Sequence, residues 1–417
     1  MADPDDQRAL RLCLLVQGSR SLTVRYPVRL AFIHVSPRVS AGAHNYQRNL
    51  FAALHRYRFG EFTPVVFAGN ADDTGELASL AAIPGVEVAQ ASAFDQRTRG
   101  LAMALASGLD RAAIAAFTSQ NVVVVIEAAR FFGWRMPYPA VAWFTDFQHR
   151  RLPQLFSPAA RWRREVGFRM QIASGRTVML SSESALRDCK AFYPAVAGRA
   201  SVVRFASRPP AELLTQNPAE VTALYELPER FFYLPNQFWR HKNHKVVVDA
   251  LSILNARGID IVIAASGSKD DPREPDYFDD IMRQITDRNL SRNFRYLGMI
   301  PLSHVYALLR VSAALINPSR FEGWSTTVEE AKSFGVPMIL SDLDVHREQT
   351  VGKARYFGTD DPTALADHLI SAANDPEPYF VRNLAPDLDG RVSMFAADFA
   401  HTIFNALESW RGEKSKG

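Results

Sequence analysis

The feature that most constrains this chain is an alternation of short apolar, β-branched runs with longer helical stretches, set out in two series. In the first half the runs fall at Arg29–Val35, Thr63–Ala68, Val86–Ala89, Asn121–Ile126, Ala140–Phe144, Thr177–Leu180 and Ser201–Phe205, with helical stretches such as Ala43–Arg56 and Leu101–Phe117 between them. The alternation restarts at Phe231–Leu234 and continues through Ile259–Ala264, Phe294–Leu297, Ala313–Ile316, Met338–Ser341 and Ala354–Phe357. Such alternation builds βαβ units and parallel sheets. Between the series, Ala206–Glu229 carries Pro209, Pro210, Pro218 and Pro228 and no strand-like run, which marks a domain boundary. The expected division is an N-terminal extension over 1–27, an α/β domain over 28–208, a linker over 209–229, a second α/β domain over 230–390 and a C-terminal helix over 391–417. In that last stretch Phe395, Phe399, Ile403, Leu407 and Trp410 recur at near-helical spacing, a stripe suited to packing across the domain junction.

Composition removes other classes. At 417 residues the chain exceeds what one core serves, and 47% hydrophobic residues exclude a disordered chain. Two cysteines, Cys13 and Cys189, exclude a disulfide scaffold and a four-cysteine zinc site. No apolar run approaches the roughly 20 residues of a membrane span. The opening MADPDDQRAL carries acids where a signal peptide carries Lys or Arg, so a soluble, cytoplasmic protein is expected. A net charge of +4 is too mild for a nucleic-acid binder. The basic excess is local: Arg150, Arg151, Arg161, Arg163, Arg164 and Arg169 interleave with Phe156, Trp162 and Phe168. That segment is either a solvated helix face or a dock for anionic lipid on the inner face of a membrane, or for a phosphorylated acceptor.

Two doubly wound sheets place a cleft between them, and ligands bind beyond the carboxyl ends of such strands. The loops after strands therefore carry the chemistry. The richest is Asn317–Asp342 (NPSRFEGWSTTVEEAKSFGVPMILSD), in which a strand ends, a turn with Pro318 and Gly323 follows and a helix begins near Thr326. Thr326 and Glu329 have capping-box spacing, Gly335 suits the C′ position and Pro337 stops the helix. The amides of Ser325, Thr326, Thr327 and Val328 would offer an anion site at the helix start. Glu322 and Glu330 flank it, and a carboxylate beside an anion site suits the hydroxyls of a sugar. In the first half, Gly42 precedes the helix Ala43–Arg56 and permits close approach of a phosphate or sugar, with His44 and Asn45 beside it. Asp146 and His149, after the strand Ala140–Phe144, are candidates to orient the sugar or the acceptor hydroxyl. Asp342 and Asp344 form a D-x-D pair with no His or Glu cluster nearby, and no metal is expected there.

Glu322 and Glu330, with seven residues between them and Gly323 and Ala331 after them, resemble the E-x7-E motif of glycosyltransferase family 4. Asn236–His244 (NQFWRHKNH), Ser266 and Gly267, Tyr296–Ile300 (YLGMI) and Tyr306–Leu309 are similar to family segments in the same order, as are Phe144–Ser157 and Ser181–Asp188. The resemblance implies a GT-B fold, two Rossmann-like domains facing an interdomain cleft, and a retaining transfer from a nucleoside-diphosphate sugar without metal or other cofactor. It implies that Glu330 binds the donor ribose, Glu322 the transferred sugar and Lys242 the diphosphate, with the backbone of Gly298, Met299 and Ile300 near the base. Asn236, Ser266, Gly267, Ser325, Thr326 and Thr327 complete the donor set it implies. Where many members carry an Arg five residues before the lysine, this chain has Gln237; Arg240 is the nearby cation expected to take that role.

The function expected is a retaining glycosyltransferase that joins a sugar to an acceptor hydroxyl, a saccharide or lipid-linked saccharide, in polysaccharide or glycolipid assembly. The catalytic group expected is Glu322, Lys242, Asp146 and His149. Two readings compete: a nucleotide-sugar 2-epimerase, which would act without acceptor, and a non-catalytic nucleotide-sugar binding protein.

Overall fold

A computed structural model describes residues 27–95, 97–128, 130–375 and 380–414. The expected extension over 1–27 lies almost wholly outside the described residues. Thirteen strands form two parallel sheets. The first holds β1 (Val28–Ile33), β2 (Phe62–Ala68), β3 (Glu87–Gln90), β4 (Val124–Ala128), β5 (Ala140–Phe144), β6 (Thr177–Leu180) and β7 (Ala200–Val202), in the order β3-β2-β1-β4-β5-β6-β7. The second holds β8 (Phe232–Leu234), β9 (Ile263–Ala265), β10 (Phe294–Tyr296), β11 (Leu315–Asn317), β12 (Met338–Ser341) and β13 (Arg355–Phe357), in the order β10-β9-β8-β11-β12-β13. Each strand-like run of the sequence overlaps a strand, although Ile259–Ala264 and Ser201–Phe205 do so over only two residues each. The physical reason is burial on both faces: β5 reads AVAWF with every residue buried, a run that only a helix-covered parallel sheet accommodates.

In each sheet the strand order reverses once, between β1 and β4 and between β8 and β11. Such switch points open a crevice at the carboxyl ends, and the loops after β8 and β11 carry the residues singled out above.

Three expectations need revision. The helical stretch Leu101–Phe117 is two helices, Arg97–Ser107 and Arg111–Ser119. Gly108 takes φ +78, and the Asp110 side chain caps the second helix by accepting from the Ala113 amide. Residues 209–229 are not a bare linker: they contain α5 (Pro218–Leu224), whose Val221 is buried in the second-domain core beside Tyr306 and Leu309. The last helix, α10 (Leu388–Lys414), begins earlier than expected and packs on the first domain. Its Phe395 lies edge-on to Tyr46, 5.4 Å between centroids, and Phe399 stacks near Phe32. Tyr46 belongs to α1 (Pro37–Tyr57), so the chain returns from the second domain to complete the core of the first.

Four further helices position the cleft: α2 (Gln148–Arg151), α3 (Pro158–Ala173) and α4 (Glu183–Phe192) in the first domain, and α6 (His244–Ala256) in the second. Two short helices complete the second-domain wall, α8 (Thr326–Lys332) and α9 (Asp344–Thr350), with α7 (Leu302–Val311) behind them. The domains touch through named contacts. Glu348 of α9 accepts from the Glu183 and Ser184 amides at the start of α4 and from Arg204, Trp324 donates to the Phe205 carbonyl at 2.9 Å, and Ser333 donates to that of Ser207. No single helix among the described residues is long and apolar enough to cross a membrane.

Candidate active site

The site grows from Asn317, the last residue of β11 and fully buried. Its carboxamide oxygen accepts from the Ser319 hydroxyl at 2.7 Å and its amide donates to the Ser325 hydroxyl at 2.8 Å, so one side chain folds the whole turn. Ser319 then donates to Glu322 at 2.7 Å, and Lys242 reaches the same carboxylate oxygen at 2.6 Å. Burial alone pushes the Glu322 carboxyl up, but the Lys242 ammonium, His346 and the Lys242 and Ser319 hydrogen bonds outweigh it and hold the group down at about 2. Glu322 and Lys242, eighty positions apart in sequence, are thus one charged unit.

Glu330 is the opposite case. It is 7% exposed on α8, and burial alone pushes its carboxyl up to about 8; among the described residues no ion pair or hydrogen bond acts on it. Its charge is felt by Tyr233 and Tyr306. A carboxylate desolvated in this way is stabilised by whatever brings hydroxyl donors to it.

The helix start differs from expectation. Ser325, not Thr326, is the N-cap, accepting from the Val328 amide, and the Ser325 amide itself donates to Gln349. Two of the four expected free amides are therefore occupied, and Thr326 and Thr327 remain. Glu329 bonds Lys332, Gln349 and Arg391 instead of closing a capping box. Gly335 does take the positive φ of a C′ residue, +63.

Around the base-side loops, Gly267 at φ +149 presses on Asn236, where a Cβ would meet the Asn236 carbonyl oxygen at 2.4 Å, and its amide donates to the Gly298 carbonyl. Ser266 bonds the Tyr233 hydroxyl at 2.7 Å, and Asn236 reaches Asn317 at 3.4 Å. Met299 is 69% exposed. Gln237 accepts from the Ser268 amide, so it shapes the loop after β9 and carries no charge. Arg240 does not point to Lys242: it is 58% exposed and pairs with Glu274. Asp342 and Asp344 are separately engaged, by Arg347 and by Arg187 of the first domain. His244 is fully buried and stacks on Phe238 at 4.0 Å, while His346, also fully buried, contacts the Ser341 carbonyl at 2.8 Å; both are core histidines.

The first-domain wall is brought against Glu322 at one point. A Cβ on Gly323 would meet the Thr145 carbonyl oxygen at 2.3 Å and the Asp146 Cβ at 3.0 Å, so Asp146 sits against the turn that carries Glu322. Gly42 is exposed, with open space where a Cβ would be, and Ser40 breaks α1 and caps its continuation through the Ala43 amide. His44 is buried, its ring nitrogen 3.0 Å from the Val35 carbonyl oxygen. His149 turns away from the cleft. It is 2% exposed, 3.7 Å from Glu165 and 3.5 Å from the Tyr193 hydroxyl, and burial lowers its pKa. The arginine segment is largely self-neutralised: Glu165 receives Arg150, Arg169 and Tyr193, and Arg151 pairs with Asp188. Arg161, Trp162 and Arg163 stay exposed on α3. Sequence reasoning missed Asn317, Ser319 and Arg273; for Asn317 the signal was an amide side chain ending an otherwise apolar strand.

Residues 222–382, which span the site from α5 to beyond β13, match the family model described as glycosyl transferases group 1. That stretch is similar to group 1 glycosyltransferase domains. A 98-residue stretch is 26% identical to O-antigen chain mannosyltransferase B of Escherichia coli, covering 23% of this chain and 26% of that relative's length. The fold is GT-B. A glycosyltransferase structure from Rickettsia africae matches over 92% of this chain and 94% of its own, with TM-score 0.63 and 15% identity. Anabaena HepE, solved with UDP and glucose, matches over 93% of this chain and 100% of its own, with TM-score 0.59 and 15% identity. The second domain carries Lys242, Glu322 and Glu330, and Asp146 of the first domain lies beside the Gly323 turn.

Proposed function

We propose that this chain is a retaining glycosyltransferase that moves a sugar from a nucleoside-diphosphate sugar to an acceptor hydroxyl in the assembly of a surface polysaccharide or glycolipid. The observation that carries the reading is Glu330: a desolvated carboxyl with no partner among the described residues, in the same post-β11 segment as Glu322, which pairs with Lys242. A vicinal ribose diol supplies the two donors Glu330 lacks. Glu322 then faces the sugar, and Lys242 is fixed where negative charge grows on the departing diphosphate. Attack from the face the diphosphate leaves, with that phosphate taking the acceptor's proton, gives retention and needs no carboxylate nucleophile; Glu322, already bridged to Lys242 and Ser319, is poorly disposed to be one. No metal is assigned a step.

The UDP and glucose bound by Anabaena HepE support a nucleotide-sugar donor, and the mannosyltransferase relative supports a hexose and a polysaccharide acceptor. Exposed Arg161, Trp162 and Arg163 suit an acceptor carried on anionic lipid at a cytoplasmic membrane face. A thermal-shift screen of UDP-, GDP-, ADP- and dTDP-sugars identifies the donor, since bound ligand raises Tm by mass action. NMR of the product then reads the anomer: a retained configuration is expected, and an inverted one overturns the mechanism. Product formed from donor alone, without acceptor, would favour the epimerase.

A further inference from the structure

Lys242 cannot carry a diphosphate unaided, because at 2.6 Å from Glu322 much of its charge is already spoken for. Three arginines stand near the loop after β8, and two face elsewhere. Arg240 pairs with Glu274, and Arg320 pairs with Asp360. The third is Arg273, in the loop after β9. That loop is braced: the Ser268 amide donates to Gln237, the Phe238 amide to the Ser268 carbonyl, and the Trp239 indole to the Asp270 carbonyl at 3.2 Å.

The guanidinium of Arg273 is held in an unusual way. Its Nε donates to Asp271 at 3.1 Å, a carboxylate only 2% exposed. Its two terminal nitrogens meet neutral groups. One donates across the cleft to Gln148 of α2 at 3.1 Å, and the other lies 3.5 Å from the His241 ring nitrogen. The plane is flanked by Trp239 of the second domain and Phe156 of the first, 5.2 and 5.6 Å from their centroids. His241 stays uncharged, its pKa driven down to about 3 by burial and by the charges of Lys242 and Arg273. Replacing a neutral acceptor by a phosphate oxygen converts an ordinary hydrogen bond into a charge-assisted one, and the planar fork of arginine suits that exchange.

We infer that Arg273 is the second cation of the donor site, releasing Gln148 to take the diphosphate beside Lys242 in the role that Gln237 cannot fill. The inference rests on the nucleotide-sugar reading above.

The test is isothermal titration of the full chain with UDP, GDP, ADP and dTDP, and with the matching nucleosides. For the diphosphate that wild type binds, Arg273→Ala is expected to weaken affinity roughly 10- to 100-fold, the range for hydrogen bonds to a charged group, with nucleoside affinity within about 2-fold. Arg273→Lys keeps the charge without the fork and should recover part of the loss. Gln148→Ala removes the cross-cleft contact and leaves the cation, so diphosphate affinity should hold or rise. Unchanged diphosphate affinity in Arg273→Ala overturns the inference alone. Equal losses in Arg273→Ala and Gln148→Ala also overturn it, since they would assign Arg273 to domain registration. Wild type that binds none of the four diphosphates overturns the underlying reading and this inference together.

Discussion

The two walls of the cleft are built on different principles. On the second-domain wall, charge is concentrated and incompletely satisfied: Glu322 is driven down to about 2 by Lys242, while eight positions on Glu330 is pushed up to about 8 by burial alone. On the first-domain wall, charge is spent internally. Glu165 gathers Arg150, Arg169 and Tyr193, and against the pull of burial those contacts lower its carboxyl to about 2; His149 is held in the same cluster. One wall is poised for a ligand and the other is a braced scaffold. The difference teaches that charge density along a sequence does not show which groups are satisfied: the arginine segment is mostly paired, whereas Glu330 is buried without a partner among the described residues.

Four perturbations break or sharpen that contrast. The largest effect is expected from Lys242→Ala, which removes a fixed positive charge from the leaving group and strands a buried carboxylate. Transfer should fall roughly 100- to 1,000-fold, as when one preorganised electrostatic contact is lost. Initial-rate assays check this, with circular dichroism to show that the variant folds. A residual rate near wild type would move the chemistry away from this wall.

Gly323→Ala attacks a point where the walls meet closely. Its Cβ would collide with the Thr145 carbonyl oxygen at 2.3 Å, a backbone atom that must shift. We expect kcat to drop about 10- to 100-fold, because a misplacement of about 1 Å costs that much in a reacting geometry. Nucleoside-diphosphate affinity should change far less, since its contacts lie on one wall. Equal losses in binding and turnover would mean that the first domain holds donor as well.

Glu330→Gln separates binding from stability. Burial raises this carboxyl from 4.5 to about 8, so between those values the folded protein holds a proton that the unfolded chain has released. The stability this group contributes is therefore complete below about pH 4.5 and is lost as pH rises to about 8. The Gln variant escapes that loss. Its ligand-free Tm should exceed wild type at about pH 8.5 and match it near pH 4, while its donor KM rises roughly 10-fold. A Tm difference independent of pH would show that the carboxyl is solvated.

The smallest effect on catalysis is expected at His149. His149→Ala should leave kcat within about 3-fold and its pH profile unaltered, yet cost about 1–3 kcal/mol of stability by opening a buried cluster. Urea denaturation measures the second quantity. A lost limb in the pH–rate profile would return His149 to the chemistry and undo the contrast between the walls.

How much of this was legible follows from distance along the chain. The strands were readable because burial on both faces demands continuous apolar runs, as in AVAWF. The E-x7-E spacing, the helix stop at Gly335 and the loop around Lys242 are local and were also readable. The assignments that failed concern direction. Arg240 sits two residues from Lys242 but turns to Glu274, and His149 follows a cleft-side strand but turns to Glu165. The break at Gly108 was missed because Leu101–Phe117 keeps helical composition across it.

By itself, then, the sequence determined two parallel α/β sheets, the loops that form their carboxyl-end crevice and the residue types available there. Apolar periodicity and the spacing of turn residues are local properties, and they suffice for that. Only the tertiary structure decided that Lys242 neutralises Glu322 while Glu330 is left without a partner among the described residues, that Arg273 rather than Arg240 reaches across the cleft, and that the last helix completes the first domain's core. Those outcomes depend on which groups far apart in the chain come within hydrogen-bond distance, and on how completely water is excluded around them.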